Sequence, residues 1–287
     1  MMHEANQRYW DRLSEDWKVL RERDGLWCDC PSRPELAFAG AALELIRSFC
    51  GDLHGLRALV IGSGDNYAAF ALAGMGAAVT SSDISQHQLD VARQRALELG
   101  LSIQFLRADA AGLDGIPDNA FDLVFSSNGF FVWIAELAQV FASVQRVLKP
   151  GGYYIFYDIH PFQRPWADQT GSLVMAEPYG VVGPQPDPQD GTYQFTWTLA
   201  DLLNPICASG LVLRRLVESP AGSARFWQDY AYEPAADETL NDWHINSRAG
   251  LPVWLSVCAQ KSWACAKRPW ACAQRPWACA QKEAIIE

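Results

Sequence analysis

Arg57-Ala58-Leu59-Val60-Ile61-Gly62-Ser63-Gly64-Asp65-Asn66 is the stretch on which the fold turns. A short apolar run that ends in glycine has the signature of a buried strand. The glycines behind it open the next segment, NYAAFALAGMG (66–76), a small-residue helix closed by Gly74 and Gly76. AVTSSD (78–83) is a second strand, and SQHQLDVARQRALELG (85–100) a second helix with Leu89, Ala92, Ala96 and Leu99 on one face. Ser85 is its expected N-cap and Gly100 its C-cap.

The rhythm continues outward. SIQFLRAD (102–109) and FDLVFSS (121–127) read as strands and AELAQVFASVQRVL (135–148) as a helix. Lys149-Pro150-Gly151-Gly152 reads as a turn and YYIFYDI (153–159) as a further strand. Strands alternating with helices imply right-handed crossovers and a mostly parallel sheet covered on both faces. Ligands of such α/β folds lie beyond the carboxyl ends of the strands.

Six prolines interrupt the pattern between 161 and 191, a stretch expected to be a lid. A strand or extended piece and a helix follow in 192–210, then strands LVLRRLVES (211–219) and LPVWLSVCAQ (251–260). The Trp/Tyr-rich insertion 220–250 shows no clear period. The expected organisation is an N-terminal helical cap (1–55), the α/β domain (56–260) and a tail (261–287).

That tail repeats every seven residues around Cys258, Cys265, Cys272 and Cys279. Pro269 and Pro276 argue against a coiled coil. Cys-x₆-Cys without histidine is poor zinc spacing, so no metal site is expected. The repeat reads as a tandem duplication without function. Cys28, Cys30, Cys50 and Cys207 show no paired spacing either, and reduced thiols in a cytoplasmic protein are expected.

The 287 residues are 49% hydrophobic and 20% charged, a globular composition. Neither a signal peptide nor an apolar span long enough to cross a membrane is read. A net charge of −10 repels phosphate backbones, which argues against a nucleic-acid partner and favours a small molecule.

Gly62-Ser63-Gly64 lets a ligand approach the backbone at a helix N-terminus. Asp83 ends the second strand nineteen residues after Gly64, where a carboxylate can accept both hydroxyls of a ribose. The dinucleotide fingerprint fails, because its sixth place holds Tyr67 instead of Gly or Ala. A nucleoside cofactor without pyrophosphate tolerates that change.

VIGSGDN, TSSDIS, FLRADA, FDLVFSSN and RVLKPGGYYIFYDIH resemble, in order and spacing, the class I S-adenosylmethionine-dependent methyltransferases, in their small-molecule branch. The resemblance covers about residues 4–260. It implies a Rossmann-like α/β fold with a seven-stranded, mostly parallel sheet whose last strand is antiparallel. It implies S-adenosylmethionine as cofactor, methyl transfer to a small-molecule acceptor as activity, and these site residues. Gly62, Ser63 and Gly64 pass the methionine moiety, Asp83 holds the ribose and Ile84 packs on the adenine. Asp109 and Ala110 read the adenine edge, and Ser127 and Asn128 lie near the sulfonium. A front helix covers the cofactor, with Tyr9 and Trp10 in contact.

Two departures stand out. Val60 occupies the place of an acid that orients the methionine amino group, and Asn66 that of a third glycine. Asp65 is expected to take over the acid's role. Should acceptor activation need a general base, His160 just past the fifth strand is the candidate, with His244 second. Phe130, Phe131, Trp133, Trp166, Trp227 and Trp243 are candidate pocket walls. The alternatives are an NAD-dependent oxidoreductase and a non-catalytic S-adenosylmethionine-binding protein.

Overall fold

In the computed structural model, residues 2–167, 172–228 and 236–263 are described. The repeat tail from residue 264 onward lies outside them. Seven α-helices and nine strands are defined there: α1 Met2–Asp24, α2 Leu26–Asp29, α3 Ala42–Cys50, β1 Arg57–Ile61, α4 Tyr67–Gly74, β2 Ala78–Asp83, α5 Gln86–Glu98, β3 Ile103–Arg107 and β4 Phe121–Ser126. There follow α6 Leu137–Val147, β5 Leu148–Ile159, β6 Gly183–Asp187, β7 Thr192–Thr196, α7 Leu199–Ala208, β8 Leu211–Ser219 and β9 Trp254–Lys261.

The main sheet runs β3-β2-β1-β4-β5-β9-β8. β1 to β5 are parallel, and β9 pairs antiparallel with both β5 and β8. The order reverses at β1, which places the switch point between β1 and β4 and opens a crevice beyond their ends.

Strand alternation divides the core. Leu59 and Ile61 face one side with Val124, Phe141, Val144 and Ile206. Ala58 and Val60 face the other with Leu45, Ile46, Leu123, Phe125 and Ile155. Helices α6 and α7 cover the first face, and α3 and α4 the second. Ser85 caps α5 by accepting from the Gln88 N–H at 3.3 Å.

Three expectations change. The 149–152 stretch does not turn but belongs to β5, which pairs Leu148 with Phe121 and shifts register before Leu123. The proline-rich segment contains a hairpin, β6–β7, where Pro184 and Pro186 pair opposite Phe195 and Tyr193. Prolines are tolerated there because the ribbon has two strands and both are edges. Of the expected 1–55 cap, α3 instead packs on the sheet, and the cover is α1.

One close approach fixes how α4 meets the segment after α2. A Cβ on Gly74 would lie 2.0 Å from the Pro31 carbonyl oxygen, so glycine alone fits. The buried Arg95 of α5 holds α1 through Glu22 at 2.9 Å, with its guanidinium 5.3 Å over the Trp27 ring.

Candidate active site

The crevice is a cavity of about 610 Å³. The loop after β1 contributes Gly62, Ser63, Gly64 and Asp65, and the end of β2 contributes Asp83 and Ile84. Asp109 and Ala110 follow β3, and Ser127 and Asn128 follow β4, all in the lining. Trp10 lines it from α1; Tyr9 does not, and instead packs its ring on Trp133 at 5.6 Å.

Asp83 is 8% exposed. Its Oδ2 accepts from the Gly64 N–H and its Oδ1 from the Ser85 N–H, both at 2.9 Å. Burial pushes this carboxyl above the usual range while the backbone donors pull it back. The carboxylate therefore ties the glycine loop to β2 and keeps further lone pairs for a ligand. Gly62 and Gly64 are left-handed, at φ 55° and 47°. A Cβ on Gly62 would stand 2.4 Å from Phe130 Cδ2, so glycine here makes room for that ring.

The two departures have physical explanations. Val60 is 1% exposed and packed in the second core face, where a carboxylate would be buried among apolar side chains. Asn66 adopts the left-handed conformation its glycine counterpart would, at φ 64°. Its side chain donates to the Gly64 carbonyl at 2.7 Å and accepts from the Ser81 hydroxyl.

His160 stands outside the cavity lining. Its Nδ1 accepts from the Phe162 N–H at 3.1 Å, and its Nε2 lies 2.8 Å from Glu218 Oε1. One ring nitrogen thus serves the turn after β5, and the other ties that turn to β8. Trp166, Trp227, Trp243 and His244 are outside the lining as well, and Phe131 is core.

Sequence reasoning placed Trp10 of α1 at the cavity but missed the residues that share its face. His3, Asn6, Trp17 and Arg21 recur with it at helical spacing and all line the cavity. Their mixture of charged, amide and aromatic side chains hides the stripe from a hydrophobic pattern. It missed Asp158 too, a buried carboxylate at the end of β5 that accepts from the Gly129 N–H at 3.0 Å and the Phe131 N–H at 3.2 Å. That bracket holds the 128–131 loop at the cavity wall.

His3 donates from Nδ1 to Asp109 Oδ2 at 2.8 Å, while Asp109 Oδ1 accepts from the Ala111 N–H. The bond to Asp109 raises the His3 pKa, and the bond from His3 lowers that of Asp109. A raised imidazole stabilises below its ordinary value and loses that as pH climbs through the folded one; the lowered carboxylate loses its share as pH falls. The first turn of α1 is therefore held best between about pH 4 and 6.5. Amide protection factors, corrected for intrinsic base-catalysed exchange, should fall across residues 6–8 above that window, and His3→Ala should abolish that fall. A flat wild-type profile would contradict it.

Burial pushes Cys30, Cys50 and Cys258 up to about 12, so none supplies a thiolate near neutral pH. Among the described residues, no group of three or more His, Cys, Asp or Glu side chains converges as a metal site. Among them, too, no helix is long and apolar enough to cross a membrane.

A glycine loop, an acid at the end of β2 and an apolar slot at Ile84 and Ala110 fit a nucleoside. Buried Tyr67 fills the place where a pyrophosphate needs a small residue. Fold and site together define a Rossmann-like domain for a nucleoside cofactor without pyrophosphate. Residues 59–156 match the family model described as a methyltransferase domain. A demethylmenaquinone methyltransferase of Thermus thermophilus is 35% identical over 103 residues, 36% of this chain and 46% of that protein. A ubiquinone biosynthesis O-methyltransferase of Thiobacillus denitrificans is 31% identical over 156 residues, 53% and 58% of the two chains. The chain thus spans about half the length of the curated relatives it matches. A solved S-adenosylmethionine-dependent methyltransferase from Mesorhizobium loti superposes with a TM-score of 0.57 at 25% identity, covering 77% of this chain and 98% of that one. Residues 59–156 thus carry a methyltransferase domain, and the chain resembles in fold the class I S-adenosylmethionine-dependent methyltransferases, whose cofactor is S-adenosylmethionine.

Proposed function

We propose that the protein transfers the methyl group of S-adenosylmethionine to a small, planar, largely apolar acceptor. The observation that carries this reading is the Asp83 carboxylate, bonded to the glycine loop and opening on the same cavity as an aromatic wall. Once bound, the cofactor supplies an electrophilic methyl group on a sulfonium. The chain holds the nucleoside at Asp83, Ile84, Asp109 and Ala110 and orients the acceptor against Ser127 and Asn128.

Trp10, Trp17, Trp133 and Phe130 supply the apolar wall, with the Trp10 and Trp133 rings 5.3 Å apart. Aromatic faces suit both a flat acceptor and the sulfonium charge, and they keep water from the reacting atoms. The reading assigns no general base, since His160 is engaged elsewhere. Transfer then rests on alignment and on an acceptor that is nucleophilic at neutral pH. The quinone-pathway names of the relatives accord with a ring acceptor. The acidic body accords with a small molecule in place of a nucleic acid, and the unpaired Cys28, Cys30, Cys50, Cys207 and Cys258 with a reducing, cytoplasmic setting.

Calorimetric titration of S-adenosylmethionine, S-adenosylhomocysteine and NAD into wild type and Asp83→Ala tests this. Both adenosyl ligands should bind, and the variant should bind them about 10- to 150-fold more weakly, as the loss of charge-assisted hydrogen bonds implies. Binding of NAD alone would favour an oxidoreductase and overturn the reading.

A further inference from the structure

The cavity has two ends, and a nucleoside held at Asp83 occupies only one of them. Asp83, Ile84, Asp109 and Ala110 belong to the ends of β2 and β3. The sheet order puts β1 and β4 between β2 and β5. Neighbouring strands lie about 4.8 Å apart, so the end of β5 stands about 14 Å from that of β2. The cavity reaches across that distance, because Tyr157 of β5 lines it together with Leu36 and Ala37 of the segment before α3.

Tyr157 is fixed by its ring, with the Phe125 centroid 6.2 Å away and that of Trp254 at 5.7 Å, edge to face. Its hydroxyl is held far less well. It donates to the Ala37 carbonyl at 3.4 Å, against about 2.7–2.8 Å for an ordinary O–H···O bond. Other polar groups at this end have closer partners. Arg21 Nη2 lies 2.8 Å from Asp65 Oδ2, and the Tyr67 hydroxyl donates to Asp24 at 2.8 Å. Burial, with Asp65 and Asp158 nearby, pushes the Tyr157 phenol above its ordinary value, so it stays protonated at neutral pH. The result is a neutral donor with a long bond, on the wall of a cavity.

We propose that the Tyr157 hydroxyl binds an oxygen substituent of the methyl acceptor, a role that rests on the methyl-transfer reading above and makes the acceptor an oxygenated aromatic ring. β4 and β5 are neighbours, so a ring whose oxygen meets Tyr157 has its body beside Ser127 and Asn128. A ligand oxygen at ordinary distance replaces the long contact to Ala37 with a proper bond. The oxygen held is not the atom that takes the methyl group, because a donated hydrogen bond withdraws electron density from a nucleophile. The acceptor therefore carries a second nucleophilic position, on a ring carbon or another heteroatom. A ring without the oxygen substituent leaves the donor poorly paired, and the site discriminates against it for that reason.

The test compares 2-naphthol with naphthalene, two flat probes that differ by one hydroxyl. Binding of each to the full chain saturated with S-adenosylhomocysteine is measured by equilibrium dialysis, for wild type and Tyr157→Phe. The affinity of both proteins for S-adenosylhomocysteine is measured calorimetrically alongside. Phenylalanine keeps the ring on Phe125 and Trp254 and removes only the hydroxyl. It should weaken 2-naphthol about 5- to 10-fold, as the loss of one neutral hydrogen bond implies. Naphthalene and S-adenosylhomocysteine should each stay within about twofold of wild type.

An equal loss of both probes would mean that Tyr157 only shapes the wall, and it would overturn the inference. So would an unchanged affinity for 2-naphthol, or a wild type that binds neither probe. Weaker S-adenosylhomocysteine binding in Tyr157→Phe would assign the hydroxyl to the cofactor, with the same consequence. Failure of wild type to bind S-adenosylhomocysteine would instead overturn the methyl-transfer reading, and this inference with it.

Discussion

Asp158→Ala is expected to destabilise the protein by about 3–5 kcal/mol and to abolish most of the proposed methyl transfer. The carboxylate is 2% exposed and accepts three backbone N–H groups, those of Gly129, Phe131 and Ile159, at 2.8 to 3.2 Å. Alanine leaves those donors without this acceptor in a buried site, at about 1–3 kcal/mol each before relaxation. Arg164, which faces both Asp158 and Glu177, loses one of its two counter-charges in the same step. The second half of the effect is positional. Gly129 and Phe131 flank Phe130, whose ring rests on Gly62, so freeing the loop displaces the wall and the glycine turn together. Urea unfolding and turnover measured on one preparation check both halves. Stability within 0.5 kcal/mol of wild type, the scatter of ordinary surface changes, would show that the bracket is dispensable.

Gly74→Ala should have the opposite sign from the usual exchange. In an exposed helix, alanine is favoured over glycine by about 1 kcal/mol. Here the new methyl would stand 2.0 Å from the Pro31 carbonyl oxygen and 2.5 Å from its Cα. Those atoms are backbone and cannot rotate aside, so α4 and the segment after α2 must separate. We expect a loss of about 3 kcal/mol, at the upper end of overpacking costs. Gly180→Ala is the control, since nothing lies within 4 Å of its added Cβ and its φ is not left-handed. The pair is compared by thermal melting, and a higher Tm for Gly74→Ala would refute the clash.

The parallel half of the sheet was legible because its strands are apolar runs cut by glycine, and because the spacing from Gly64 to Asp83 is a property of one βαβ unit. The ends of those strands carried with them the residues that line the cavity. Legibility failed where a residue's job is set by distant partners. His160 looks like a site residue from its place at the end of β5, yet its partner is Glu218, 58 positions away on β8. Asn6 looks like any polar helix residue, yet it exchanges two 2.9 Å hydrogen bonds with the Tyr193 backbone. Arg21 and Asp158 escaped for the same reason. Proline misled in another way, since Pro184 and Pro186 suit a two-stranded ribbon as well as a loop.

The fastenings of α1 bear on the order in which the chain assembles. Asn6 waits for Tyr193, Asp11 for Ser85 and Glu22 for Arg95, at separations of 187, 74 and 73 residues. Contacts that span so much chain are slow to find and are made after local ones. On the ribosome, β1 to β4 can gather while this helix still has no hairpin to clasp. The roof of the cavity is thus fully fastened only after synthesis has passed β7, and a nascent chain halted earlier would lack the clasp at the start of α1.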